Sequence, residues 1–301
     1  MQKRLMEKAA ALLQSGEVQR VLGWKKGEFF YDLTPAVFSS KEEVEQDFVF
    51  SPFAGANLSK YLIAQSRKGG KVAVFLKPCD SYSCVQLLKE HRIWRENVYI
   101  VGIACDGMCD IEKIRAAGAK GILSVTRDGD NLQIDTLYGA MTMAKADAHA
   151  ERCISCKSRK LVAYDEKIGE DGDVIENSGR FDMVAKLEAM TAEERFEFWR
   201  SELSKCIRCN ACRDVCPACT CEKCVFDNAN SGISQKAAAS SFEENMYHII
   251  RAFHVASRCT DCGECSRVCP QNIPLHLLNR KFIKDINEFY GEYQAGAEVG
   301  A

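Results

Sequence analysis

Apolar residues recur at helical spacing from the start of the chain. Leu5, Ala9, Leu12 and Leu13 share one face and predict an amphipathic helix over 1–15. Residues 21–24 and 28–32 read as extended. Ser51-Pro52-Phe53-Ala54-Gly55 marks a turn, and Leu58, Tyr61, Leu62 and Gln65 carry a helix beyond it. After Gly69-Gly70 the pattern changes. Residues 71–76 are apolar almost without interruption, as in a strand buried on both faces. A helix follows over 81–91, with Cys84, Leu87 and Leu88 as its apolar positions. Residues 98–103 repeat the buried-strand pattern, 111–117 are helical and 121–125 extended. Strands alternating with helices predict an α/β domain with some parallel pairing.

Residues 157–200 are polar, with a loop at Gly169-Glu170-Asp171-Gly172-Asp173. A helix over 192–204, through Phe196, Phe198, Trp199 and Leu203, leads out of this stretch. Beyond it, 205–224 and 258–274 lack any period and hold most of the cysteines. Helical spacing returns over 242–256 and 275–290. The pattern divides the chain into a first domain over 1–157, a linker over 158–195 and a second domain over 196–301 with a helical insertion.

Composition narrows the choice of function. The 301 residues are 47% apolar and 27% charged, enough for about two domains with ordinary cores. A net charge of -2, from 40 basic and 42 acidic residues, gives no general basic excess for a nucleic-acid partner. The opening Met1-Gln2-Lys3-Arg4 is charged rather than signal-like, and no apolar run approaches the roughly 20 residues of a membrane helix. The cytoplasm is the expected location. In that setting 17 cysteines point to metal ligation, not disulfides. No Ser/His/Asp set, H-E-x-x-H or P-loop stands out, so no catalytic residue is assigned.

Two cysteine runs carry the strongest chemistry. Cys206-Ile-Arg-Cys209-Asn-Ala-Cys212-Arg-Asp-Val-Cys216-Pro217 and Cys259-Thr-Asp-Cys262-Gly-Glu-Cys265-Ser-Arg-Val-Cys269-Pro270 share the form C-x2-C-x2-C-x3-C-P. A tight loop with cysteines three apart can wrap three iron corners of a cubane and leave the fourth for a distant thiolate. In two-cluster ferredoxins the fourth cysteine of each run ligates the other cluster. One 4Fe-4S cluster is therefore expected on Cys206, Cys209, Cys212 and Cys269, and a second on Cys259, Cys262, Cys265 and Cys216. Zinc or free thiols fit two identical Cys-Pro-terminated runs less well. The second domain is thus expected to be a small α+β ferredoxin-like, helix-rich unit. Cys219, Cys221 and Cys224 lie in its long insertion. They read as a further metal site needing one outside ligand, as thiols shielding a cluster, or as substitutes for Cys216. His248 and His254, on the helix before the second run, read as packing or surface residues or as donors to a cluster sulfur.

Six cysteines remain. Lys77-Pro78-Cys79-Asp80 follows one predicted strand, and Gly102-Ile103-Ala104-Cys105 ends the next. With Cys153-Ile-Ser-Cys156, Arg159, Tyr164-Asp165, Gly169, the double cysteine motif and its insertion, this set resembles the beta-subunit family of deazaflavin-dependent hydrogenases and formate dehydrogenases. The likeness to the formate dehydrogenase beta subunit is the closer. It takes in Met246-Tyr247-His248 and Arg251-Ala252-Phe253-His254 and covers most of 50–285.

The resemblance implies a flavin, usually FAD, beside a third 4Fe-4S cluster on Cys79, Cys105, Cys153 and Cys156, within the α/β domain. Cys109 is a reserve ligand, and the plainer reading of both Cys79 and Cys84 is a small buried hydrophobe. No G-x-G-x-x-G follows a strand, so a Rossmann site is not supported. A flavin phosphate has two candidate seats: the helix start at Gly55, Asn57 and Ser59, and the turn at Lys77 and Asp80. The plainer readings are a simple turn at Gly55 and a solvated Lys77. The family implies a redox subunit that works with a catalytic oxidoreductase subunit and electron-transfer partner proteins. The rival is a flavin-free adaptor between a dehydrogenase and a heterodisulfide-reductase-like or bifurcating assembly. The chain is short for the family and shows no deazaflavin pocket, so a nicotinamide, ferredoxin or quinone-linked acceptor stays open.

Overall fold

The computed structural model describes residues 1–176, 178–228, 230 and 241–297, with side chains left out over 241–245. The chain divides into two compact units: residues 1–84 with 93–178, and residues 85–92 with 179–301. The segment 158–195, expected as a linker, is shared between them and carries regular elements of its own.

The first unit opens with α1 (Gln2–Gln14), whose Leu5, Ala9 and Leu12 are buried as the spacing predicts. Strand β1 (Arg20–Lys26) turns back through 27–32 into β2 (Leu33–Phe38), so the extended stretch expected over 28–32 is a turn instead. Pro35 is tolerated because β2 is an edge strand. Helix α2 (Lys41–Asp47) follows, capped where Ser40 accepts from the Glu43 amide. After α3 (Ser59–Ser66) comes β3 (Val72–Leu76), every residue of which is buried. Next are α4 (Pro78–Lys89), β4 (Val98–Ile103) and α5 (Ile111–Ala116). Proline at the first helical position has no amide to leave unsatisfied, and α4 starts there, earlier than the apolar spacing suggests.

Strands β5 (Ile122–Asp128), β6 (Asn131–Thr136) and β7 (Gly139–Ala144) form a separate antiparallel sheet. After α6 (Glu151–Ile154) the chain returns as β8 (Glu166–Ile168). The main sheet has the order β2-β1-β3-β4-β8, parallel except for β2. Trp24, Phe75, Leu58 and Leu62 fill its core, and the Phe48 ring packs tilted against Phe38 and edge-on to Phe75. Gly23 leaves room for the Phe48 ring: a Cβ there would meet it at 2.4 Å.

The second unit contains α7 (Asp182–Glu188), α8 (Ala192–Leu203), α9 (Ala211–Asp214), α10 (Ser241–His254), α11 (Glu264–Arg267) and α12 (His276–Tyr290). Thr191 and Glu194 form a reciprocal cap on α8. Among the described residues from 179 onward there is no strand. The α+β expectation for this unit is therefore corrected to helical. The segments flanking the cysteine runs are the helices α8, α10 and α12, as their spacing predicts. Leu203, Phe226, Tyr247, Ile273 and Leu275 build its core, and Cys212 and Cys265 are part of it.

Candidate metal centres

The two cysteine runs fold alike. In the first, Arg208 (φ 55°) and Asn210 (φ 63°) have left-handed backbones, and in the second Asp261 (φ 57°) and Gly263 (φ 69°) occupy the same places. Such alternation turns successive amides inward and makes a concavity suited to anions, iron–sulfur cores included. In each run a short helix then begins, with the third cysteine, Cys212 or Cys265, as its second residue. The loops are anchored differently. Tyr247 donates to Asn210 at 3.0 Å, behind the first. The Asp261 side chain, 3% exposed, takes Arg180 at 2.6 Å and Arg280 at 2.9 Å, behind the second.

A cavity in this unit is lined by Cys206, Cys209, Cys212 and Cys269, with Tyr247 and His248 on its wall. Three of these cysteines come from the first run and the fourth from the end of the second. Burial pushes the Cys212 thiol up, and Cys206, Cys209 and Cys269 add to the rise. In the second set, burial is again the main cause at Cys265, pushed up to about 12, with Cys216 and Cys259 contributing. Cys262 is raised by burial and by Glu264, then by Cys216 and Cys259. Desolvated thiols crowded together favour the neutral form until a cation joins them. The donor chemistry therefore suits a core that brings its own positive charge.

Two side chains approach these sulfurs. His248 is 2% exposed, and its Nε2 lies 3.2 Å from Cys206 Sγ. Burial, aided by Arg251 and Arg208, pushes its pKa down to about 3, so the ring is neutral. Of the two readings of His248, the contact with a candidate ligand sulfur is the one the structure displays; His254 instead lies 6.3 Å from the Phe226 ring. Asn279 points Nδ2 at Cys265 Sγ, 3.8 Å away. Sequence reasoning missed Asn279 and the burial of Arg251. For Arg251 there was a signal: it lies one turn from Tyr247 on α10, within the apolar stripe.

The insertion cysteines do not gather. Cys219 hydrogen-bonds to Cys216 and holds that thiol low. Cys224 packs on the core near Arg213, and Cys221 is exposed. Among the described residues no three His, Cys, Asp or Glu side chains close on one point as a single ion requires.

In the first unit, Cys79 stands in the opening turn of α4, Cys105 follows β4, Cys153 lies in α6 and Cys156 just beyond it. Burial raises Cys79, Cys105 and Cys156. Cys105 acts on Cys79, and Cys153 acts on both Cys105 and Cys156, so the four form one electrostatic neighbourhood. The Met108 amide donates to Cys153 Sγ at 3.3 Å. Cys109 borders the group and also feels Cys153. His149 Nε2 is buried against Gly107 without a hydrogen-bond partner. Cys84 is fully buried and pushed up to about 12 by desolvation, as suits a small hydrophobe.

The candidate flavin residues bind one another. Lys77 Nζ lies 2.6 Å from Asp80, donates to the Ala56 carbonyl at 3.0 Å and sits 4.8 Å above the Trp24 ring. Asn57 donates to Ser83 at 3.0 Å and accepts from the Ser59 amide, and Ser59 Oγ donates to the Asp80 carbonyl at 2.7 Å. The Gly55 carbonyl accepts from Arg152 at 2.5 Å. Lys77 is 1% exposed, so the solvated reading is corrected: the i, i+3 carboxylate on α4 draws it inward.

Residues 202–273 match the 4Fe-4S dicluster domain model. The beta subunit of the F420-dependent formate dehydrogenase of Methanocaldococcus jannaschii is 26% identical over 332 residues, covering 91% of this chain and 86% of that one. This chain is similar to that beta subunit over most of both lengths. The beta subunit of F420-dependent formate dehydrogenase 1 of Methanococcus maripaludis is 27% identical over 278 residues, with 71% of each chain covered. Among solved structures, a chain of the F420-reducing [NiFe] hydrogenase complex from Methanosarcina barkeri aligns with a TM-score of 0.42 and 16% identity. That alignment covers 62% of this chain and 76% of the other. No helix among the described residues is long and apolar enough to cross a membrane.

Proposed function

We propose that this chain is the iron–sulfur electron-transfer subunit of a formate dehydrogenase-type oxidoreductase complex. The observation that carries it is the cavity in which Cys269, from the end of the second run, joins Cys206, Cys209 and Cys212 of the first. Crossed ligation of this kind is how two cubanes come to lie side by side. The formate dehydrogenase relationship supports a catalytic partner subunit, since the relatives are themselves subunits.

In this reading Cys206, Cys209, Cys212 and Cys269 hold one 4Fe-4S cluster, and Cys259, Cys262, Cys265 and Cys216 the other. Cys79, Cys105, Cys153 and Cys156 hold a third, at the mouth of the α/β sheet. The clusters supply one-electron carriage. The protein fixes their spacing, keeps water from the sulfurs with Tyr247, Phe226 and Leu275, and sets their electrostatic surroundings. His248, as the Nε2–H tautomer, donates to the Cys206 sulfur. Cys156→Ala is expected to remove about four irons per chain while leaving the C-terminal EPR signals in place. Unchanged iron and flavin content would take the N-terminal centre out of the scheme.

FAD completes the reading as a centre that exchanges electron pairs on one side and single electrons on the other. One observation favours the flavin-free adaptor: Lys77, Asp80, Asn57 and Ser59 bond to one another and to Ala56 and Ser83 within the fold. Anaerobic purification with its partners, followed by flavin extraction, separates the two. About one flavin per chain supports the redox-subunit reading; iron and sulfide without flavin supports the adaptor.

A further inference from the structure

Arg251 is 4% exposed, on the face of α10 that also carries Tyr247 and His248. One guanidinium nitrogen donates to the Cys212 carbonyl at 2.9 Å. Its Nε has no hydrogen-bond partner, and no carboxylate among the described residues pairs with it. Arg280 is equally buried, yet it has Asp261 at 2.9 Å. A guanidinium keeps its charge at any pH a cell meets. Burying it without a counter-charge is among the costlier arrangements a fold can contain.

Cys212 and Cys265, one from each run, pack in the same buried core as Tyr247, one turn from Arg251 on α10. The thiols of Cys216, Cys219, Cys265 and Cys212 all act on its charge. Cys212 belongs to the first candidate set; Cys216 and Cys265 belong to the second. Four thiolates outweigh the positive charge of a cubane, so each occupied centre is an anion, and each added electron deepens it.

We propose that Arg251 is the shared counter-ion of two adjacent anionic iron–sulfur centres, placed to stabilise the extra electron on either one. The proposal rests on the dicluster reading above. The step it acts on is a bare one-electron reduction: the donor loses one electron, the centre gains it, and no bond forms or breaks. A fixed cation answers the new charge without a proton entering the core. Net charge near a cluster is one of the protein's main controls over its potential. A cation common to both sets should raise both potentials. His248, whose ring contacts Cys206 of the first set, should act on the first alone.

The test is an EPR-monitored redox titration of the full chain, purified without oxygen, comparing wild type with Arg251→Gln, Arg251→Lys and His248→Gln. Arg251→Gln is expected to move both C-terminal midpoint potentials to more negative values. Arg251→Lys should hold both nearer to wild type, and His248→Gln should move only one. The role is overturned if Arg251→Gln moves neither potential or only one, or if Arg251→Lys is displaced as far as Arg251→Gln. Should Arg251→Gln fail to retain its centres, iron and sulfide counts decide. Retention in Arg251→Lys supports the charge role, and loss in both variants overturns it. The wild-type counts stand apart: a wild type without sulfide refutes the dicluster reading itself, whereas two intact centres with unmoved potentials refute only Arg251.

Discussion

Cys269→Ala is expected to abolish the same EPR signal that Cys209→Ala abolishes, although the two positions belong to different motifs. Each variant should lose about four of the second unit's irons and keep about four there. Cys216→Ala should match Cys262→Ala in the same way. The reasoning is geometric. Cys269 lines the cavity of Cys206, Cys209 and Cys212, and Cys216 acts on the Cys262 and Cys265 thiols. A cubane with three thiolates is left with one iron open to solvent, and the core degrades from that corner. If each run instead held its own cluster, Cys269→Ala would copy Cys262→Ala, and crossed ligation would be wrong.

Lys77→Met is expected to destabilise the first unit by about 3–5 kcal/mol, the cost of leaving a buried charge without its partner. Asp80 is wholly buried and Lys77 nearly so, at 2.6 Å. The ammonium also ties the Ala56 carbonyl, and through it the 54–59 loop, to the β3–α4 turn. Lys77→Met with Asp80→Leu should recover most of the loss, because an apolar pair can replace a buried ion pair at little cost. Urea unfolding followed by Trp24 fluorescence, with Trp94 and Trp199 changed to phenylalanine, reports on this unit, since Lys77 lies over the Trp24 ring. Flavin loss in Lys77→Met at undiminished stability would make Lys77 a cofactor contact instead.

The strands that position the N-terminal cysteines were legible because β3 and β4 are buried on both faces and read as unbroken apolar runs. Helix α1 was legible from its period. The β6–β7 hairpin was not, because its strands are short and mostly exposed, and the small sheet buries little beyond Val125, Leu132 and Ile134. Strand β2 hid behind Pro35, which only an edge position admits. The cysteine ligands could be read from spacing, since a loop short enough to wrap a cubane permits few alternatives. What spacing cannot convey is which long polar side chains turn inward. Lys77 and Arg251 have the composition of surface residues, and their burial depends on partners that the fold supplies: a carboxylate one turn away, and thiols brought from two motifs.

Iron, acid-labile sulfide and the EPR spectrum of the fully reduced, anaerobically purified protein test the paired centres of the second unit most directly. The expected result is about 8 irons from that unit, or about 12 with the N-terminal centre, and a spectrum broadened by two neighbouring spins. Zinc without sulfide, or two C-terminal signals with no magnetic interaction, would contradict it.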